Sequence, residues 1–368
     1  MRKLKVLHFI YGDLAYNNFL SPLLKLNENT SLSQEVIIGG RDLSLEVFKT
    51  KKGKGLHYGY NFELRSFPVS FLKLFKVVLR KSPSIVVAHM ALYATYPLIV
   101  AKLLKVEKRI YFCHGAPYLG YNGPLKLFLK TIEKINISLS TLTICVSPSI
   151  QIELKKIAKN ANIVSTYPGS SVGLPPDKYL SEWKLLNKFN NFQKRTELRV
   201  IFVGRGNRRK GVFDLIKAFS TQSILDKKIC LDLVGFNPDS LDLDVNSVPD
   251  NITFHGFQKN VQSFYENSDI VILPSWHEGF GYTLLEGAAN GCAMIGSKIP
   301  GPDSIITNNY NGCLIPAKSS IEIENCLLNY WHNRDILLSH MQNAYLTSFD
   351  FQEAKIVSSM TNILLGKK

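Results

Sequence analysis

Acidic residues are scarce in the first half of this 368-residue chain: up to residue 170, nine Asp and Glu stand against 24 Lys and Arg. From residue 171 onward there are 20 of each, so the whole net charge of +15 belongs to the first half. Paired cysteines are missing as well. The six present (Cys113, Cys145, Cys230, Cys292, Cys313, Cys326) lie far apart with no CxxC among them, which argues against a disulfide scaffold or a structural zinc site and for reduced thiols in a cytosolic protein. Long apolar runs are lacking too. The opening MRKLKVLHFIYGD is continuously apolar only from Val6 to Ile10, short of the roughly 7–15 residues of a secretory core, and reads as a buried first strand. Ser84 to Ala101 has no Lys, Arg, Asp or Glu but carries His89, Tyr93, Thr95, Tyr96 and Pro97. It reads as a strand, Ile85–His89, followed by a packed helix from about Tyr93 to Leu104 rather than as a membrane span. With 45% hydrophobic and 20% charged residues, the chain is neither disordered nor polytopic.

What is present is an alternation of short β-branched runs with longer helical patterns. Strands are expected at Val6–Ile10, Val36–Ile38, Ile85–His89, Ile110–Cys113 and Thr143–Val146, then at Arg199–Val203, Cys230–Val234, Ile252–His255, Ile270–Leu273 and Ala293–Ile295. Several are continuous apolar runs, as in parallel strands covered on both faces. Helices are expected at Leu72–Arg80, Leu125–Lys134, Phe213–Thr221 and Tyr282–Asn290. Two such series predict an α/β chain of two doubly wound domains, with ligands in the cleft outside the carboxyl ends of the strands. The predicted boundaries are 1–170 for the first domain, 171–197 for a linker and 198–345 for the second. The basic half suits nucleic acid, an anionic membrane surface or a phosphate-bearing substrate, or is a solvated lysine surface. No nucleic-acid module is recognisable, so no nucleic-acid partner is expected. The stretches 72–81, 98–109 and 125–134, with the run KTKKGK (49–54), are basic and amphipathic, as a membrane-facing surface would be.

Two stretches carry chemistry. In VGRGNRRKG (203–211) a strand ends, Gly204 turns the chain, and Arg205 and Lys210 bracket a loop before a helix, a pattern suited to a diphosphate. It is not a P-loop. In LPSWHEGFGYTLLEGAANG (273–291) a strand runs into the turn Gly279-Phe280-Gly281, which opens a helix. Glu278 stands in the turn and Glu286 eight residues on, too far along the axis for a shared-proton dyad but suited to two parts of one elongated ligand. Asp242 and Asp244 offer a DxD pattern and read as surface acidity; no metal and no cofactor is expected.

Together, VGRGNRRKG, the Glu278/Glu286 E-x7-E spacing and the turn NGCLIP (311–316) resemble glycosyltransferase family 4, retaining enzymes of the two-Rossmann-domain GT-B fold that use nucleotide-sugar donors. The resemblance implies that Arg205 and Lys210 neutralise the donor diphosphate, that Glu278 and the N–H groups of Gly279, Phe280 and Gly281 meet the donor sugar and phosphate, and that Glu286 accepts from the ribose. It sets Phe257 and Gln258 at the base, Gly204 and Gly12 at the diphosphate, and His114 at the reaction centre; His8, His89 and His255 are read as structural. The tail FDFQEAKIVSSM (349–360) resembles the family's last helix, which implies that 346–368 crosses back to the first domain; Asp13 follows Gly12 where the family often has a second glycine. The implied partners are a UDP- or GDP-linked sugar and a glycan or polyprenyl-pyrophosphate-linked acceptor in surface polysaccharide synthesis, at the inner face of the cell membrane. A nucleotide-sugar epimerase, an inverting transferase and a basic polyanion-binding protein are the alternatives.

Overall fold

A computed structural model of the chain describes residues 4–12, 15–26, 32–39, 57–60, 67–241 and 248–366. Asp13, the run 49–54 and the pair Asp242/Asp244 lie outside the described residues. The chain divides into two compact units, Met1–Gly173 with Ile356–Lys368, and Leu174–Lys355.

The first unit is built on seven parallel strands: β1 Leu4–Tyr11, β2 Leu32–Gly39, β3 His57–Tyr60, β4 Ile85–His89, β5 Lys108–Cys113, β6 Leu142–Cys145 and β7 Ile163–Ser165. Their order, β3-β2-β1-β4-β5-β6-β7, reverses between β1 and β4. In such sheets the crevice beyond the strand ends at the reversal is where ligands bind. The central strands are buried end to end because both faces are covered. Leu7, Phe9, Ile37 and Val86 meet Leu74, Val78 and Val100 from helices on one side. Nearer β6, Tyr111, Cys113 and Cys145 pack with Leu98, Leu129, Ile150 and Leu154. Helix Ala91–Leu103 follows β4 directly, so Ser84–Ala101 is a strand and a packed helix, and no helix among the described residues is long and apolar enough to cross a membrane. All six cysteines are free thiols.

Within this core helix Gly123–Leu139 buries Glu133 completely. Tyr111 Oη donates to its Oε2 at 2.8 Å, while Oε1 has no partner. Burial pushes the carboxyl from 4.5 up to about 8, the Tyr111 bond pulling it part of the way back. A carboxyl raised on folding contributes its stability below pH 4.5 and loses it as pH rises through 8. Glu133→Gln should therefore melt with the parent near pH 4.5 and increasingly above it toward pH 8, by on the order of 3 kcal/mol. Melting curves across that range check this, and parallel curves would contradict it.

The second unit has six parallel strands, β8 Leu198–Val203, β9 Ile229–Val234, β10 Ile252–Phe254, β11 Ile270–Leu273, β12 Ala293–Ser297 and β13 Gly312–Ile315. The order β10-β9-β8-β11-β12-β13 puts the reversal between β8 and β11. Two readings change. The NGCLIP segment is not a turn throughout: Gly312–Ile315 pairs with β12 as the edge strand. The stretch expected to link the domains carries helix Glu182–Lys194, which belongs to the second unit. Its Lys188 is buried, and the ammonium donates to the carbonyls of Tyr265 at 3.0 Å and Asn290 at 2.6 Å, which fixes the helix to the sheet.

Candidate active site

The second unit's reversal point is flanked by the loops after β8 and β11, and they are locked together. In the first, Asn207 caps the short helix Arg208–Lys210, its side chain accepting the Lys210 N–H at 3.1 Å. Gly206 lies so close to Phe236 that a Cβ would stand 2.4 Å from the ring. Gly211 follows with φ +73, and a Cβ there would fall 2.0 Å from the Pro274 carbonyl oxygen. Only glycine permits this approach, and it presses the cationic loop onto the turn after β11. Trp276 N–H donates to the Arg209 carbonyl at 2.8 Å, and its indole N–H to Asp214 at 2.8 Å. Lys210 Nζ then reaches Glu278 Oε1 at 2.5 Å, an oxygen that also accepts from Ser275 Oγ at 2.7 Å. Arg205 is exposed and has no hydrogen bond or ion pair among the described residues.

Beyond Glu278 the turn Gly279–Gly281 opens helix Tyr282–Ala289, with Gly281 at φ +101. Pro300-Gly301-Pro302 backs the turn: a Cβ on Gly301 would stand 3.0 Å from the Phe280 nitrogen. Phe280 itself turns into the core against Phe351, ring centroids 5.6 Å apart, so only its backbone is free to serve a ligand. Further along the helix Glu286 is nearly buried. Burial pushes its carboxyl up, opposed by Lys178 Nζ at 3.9 Å and by Tyr265 Oη, which donates at 3.3 Å. The two glutamates thus have separate partners and share no proton. Phe257, past β10, is 80% exposed, which leaves its ring available for stacking. Gln258 is tied back to the His255 carbonyl at 2.6 Å, and His255 to Asp232 at 2.6 Å.

In the first unit Gly12 follows β1, at the reversal, and His114 follows β5, one strand removed from it. Gly12 has φ +87, a Cβ there would meet nothing within 4 Å among the described residues, and its N–H donates to the Gly39 carbonyl at 2.7 Å. His114 stands just beyond β5, its ring 4.8 Å from that of Phe19. Burial holds its imidazole down to about 3, so it is neutral across the physiological range. His8 and His89, read from sequence as structural, join it: His89 Nδ1 lies 2.9 Å from His114 Nε2, and His8 Nδ1 3.2 Å from His89 Nε2.

Sequence reasoning missed the partners. Trp276 and Asp214 bind the two loops together, and Lys178 and Tyr265 hold Glu286, yet in each case the partners come from distant segments; Ser275 holds Glu278 from within the same turn. Only Asn207 left a local signal, a capping residue three positions before the lysine it caps.

Residues 184–345 match the family model described as glycosyl transferases group 1. A glycosyltransferase of Methanocaldococcus jannaschii is 26% identical over 299 residues, covering 76% of this chain and 74% of its own. The N,N'-diacetylbacillosaminyl-diphospho-undecaprenol alpha-1,3-N-acetylgalactosaminyltransferase of Campylobacter jejuni is 26% identical over 272 residues, 70% of each chain. Among solved structures, Anabaena HepE in complex with UDP superposes with a TM-score of 0.75 at 14% identity, covering 99% of this chain and 100% of that one. The fold is therefore GT-B, two Rossmann-like α/β units, and the chain is a glycosyltransferase whose residues 184–345, within the second unit, are similar to the glycosyl transferases group 1.

Proposed function

We propose that the chain is a retaining glycosyltransferase that moves a hexosyl group from a UDP- or GDP-linked donor to a hydroxyl of a glycan carried on a polyprenyl diphosphate, in surface polysaccharide synthesis. One observation carries the reading: Arg205 and Lys210 share a loop pressed onto the Glu278 turn at the reversal of the second sheet. The bond from the anomeric carbon to the diphosphate breaks while the acceptor oxygen bonds to that carbon on the same face, and the acceptor's proton passes to the departing phosphate oxygen. Negative charge grows on the phosphate, where Arg205, Lys210 and the positive end of helix Tyr282–Ala289 stabilise it without a metal. Glu286 accepts from the ribose, Glu278 from the sugar, and the exposed Phe257 ring supports the base. His114 stands at the reaction centre.

The HepE complex with UDP and the undecaprenol-linked substrate in the C. jejuni enzyme's name support the donor and acceptor classes. A thermal-shift panel of UDP, GDP, ADP, dTDP and CMP, with and without Mg²⁺, tests the donor site. One nucleotide raising the melting point selectively and independently of metal is the expected result. Stabilisation by DNA or heparin alone would favour a polyanion-binding protein instead, and the anomeric configuration of the product decides retention.

A membrane-bound acceptor fits the surface of the first unit. On helix Gly123–Leu139, Leu125, Leu127 and Phe128 are 47%, 67% and 54% exposed, interleaved with Lys126, Lys130 and Lys134. Apolar anchors among lysines suit an anionic bilayer. Leu127→Ser with Phe128→Ser should weaken binding to phosphatidylglycerol vesicles about tenfold or more, and salt should release the parent. Cosedimentation unaffected by either would end the membrane reading.

A further inference from the structure

The histidines of the first unit lie on a diagonal set by the sheet register. His8 on β1 pairs with Val36 of β2 and Val87 of β4, and His89 on β4 pairs with Phe112 of β5. Alternate residues of a strand share a face. Gln34 lies two residues before Val36, His89 two beyond Val87, and His114 two beyond Phe112. All four therefore stand on one face, each one step nearer the carboxyl edge, with His114 at the end.

Their side chains bond in series. Gln34 Oε1 lies 2.9 Å from His8 Nε2, His8 Nδ1 3.2 Å from His89 Nε2, and His89 Nδ1 2.9 Å from His114 Nε2. Successive ring planes tilt by 29° with centroids 5.5 and 5.2 Å apart, so the rings run end to end rather than converging on a metal. His8 and His89 are 1% exposed. Burial keeps the rings neutral: His8 is held at about 4, and His89 well below its ordinary value by burial and then by its two neighbours.

A neutral imidazole has one N–H and one lone pair, so the amide at one end dictates every proton. The Gln34 oxygen accepts from His8 Nε2–H, and His8 Nδ1 must then accept from His89 Nε2–H. His89 Nδ1 in turn accepts from His114 Nε2–H. The series ends at His114 Nδ1, a buried nitrogen with no hydrogen-bond partner among the described residues.

We infer that Gln34, His8 and His89 are positioning residues that hold His114 in its neutral Nε2–H tautomer, so that Nδ1 presents a lone pair to a hydroxyl of the bound sugar substrate. This rests on the reading of His114 as part of the transferase site. Removing the Gln34 acceptor would strand a buried His8 N–H, and a stranded donor is the costlier defect. Reversal moves that N–H to His114 Nδ1, where a bound hydroxyl can accept it, so with substrate present the series runs the other way and leaves Nδ1 with a proton where transfer needs an acceptor.

The test compares the parent, Gln34→Met and Gln34→Glu. Nitrogen-15 NMR of histidine-labelled full-length protein, with His114→Asn to assign the signal, should read the Nε2–H tautomer at His114 in the parent and in Gln34→Glu, whose carboxylate restores the acceptor. In Gln34→Met with the nucleotide sugar bound it should read the Nδ1–H form, with kcat for sugar transfer lower by about tenfold or more and KM within about twofold. An Nδ1–H tautomer in the parent, or one that ignores residue 34, overturns the inference. A shifted tautomer with unchanged kcat overturns the positioning role and leaves the transferase reading standing. A parent inactive with every nucleotide sugar fails that reading, and the inference falls with it.

Discussion

Lys210→Ala is expected to lower kcat/KM for sugar transfer by about 10²–10³-fold, the usual loss when one preorganised charge is removed from a leaving group. The melting point should move little. Lys210 Nζ and Glu278 form a partly exposed pair, with side chains 24% and 13% accessible, and such pairs contribute about 1 kcal/mol or less. Glu278 keeps the Ser275 hydroxyl when the lysine is gone, so no carboxylate is stranded. Steady-state kinetics beside a melting curve separate the two effects. Transfer within about threefold of the parent would remove Lys210 from the diphosphate site.

Gly211→Ala has the largest expected effect on stability. Gly211 combines φ +73 with a Cβ position 2.0 Å from a backbone oxygen of Pro274. No rotamer change relieves that overlap, so the loop must leave the turn. The cost should be about 3 kcal/mol, lowering the melting point by roughly 6–12 °C for a unit of this size. Transfer should fall as well, because Lys210 precedes the displaced residue. Gly12→Ala is the control: it shares a positive φ of +87 but meets nothing within 4 Å, so it should cost about 1 kcal/mol. Equal melting points for the two variants would refute the argument from close approach.

The central strands were legible because parallel strands buried on both faces need continuous apolar runs. Ile85–His89 and Ile270–Leu273 have the expected limits. Of the edge strands, Ile252–Phe254 was read one residue too long, while others were missed: Ile163–Ser165 has three residues, and Gly312–Ile315 sits inside a turn-like sequence, so neither has a period long enough to read. Helix Glu182–Lys194 was hidden by its polar face, since KFNNFQK looks like a linker until Lys188 and Phe192 are seen to be buried. Arg205, Lys210, Glu278 and Glu286 could be singled out as candidates because loop-and-helix spacing is local. Their partners were not, because Trp276 meets Asp214, and Lys178 meets Glu286, only through the fold. His8 and His89 show the limit most sharply: each alone looks like a structural histidine, and only the strand register joins them to His114.

The bond between Lys210 and Glu278 also bears on turnover. Lys210 already has a carboxylate for company, so in the proposed reaction an incoming diphosphate competes with Glu278 for it, and exposed Arg205 is left to make the first capture. On the same proposal the nucleoside diphosphate leaves as Glu278 reclaims the lysine, and the cost of breaking the pair on arrival is returned on departure. Weaker product inhibition than two unencumbered cations would give is the kinetic consequence, and Glu278→Gln should strengthen inhibition by the released nucleotide.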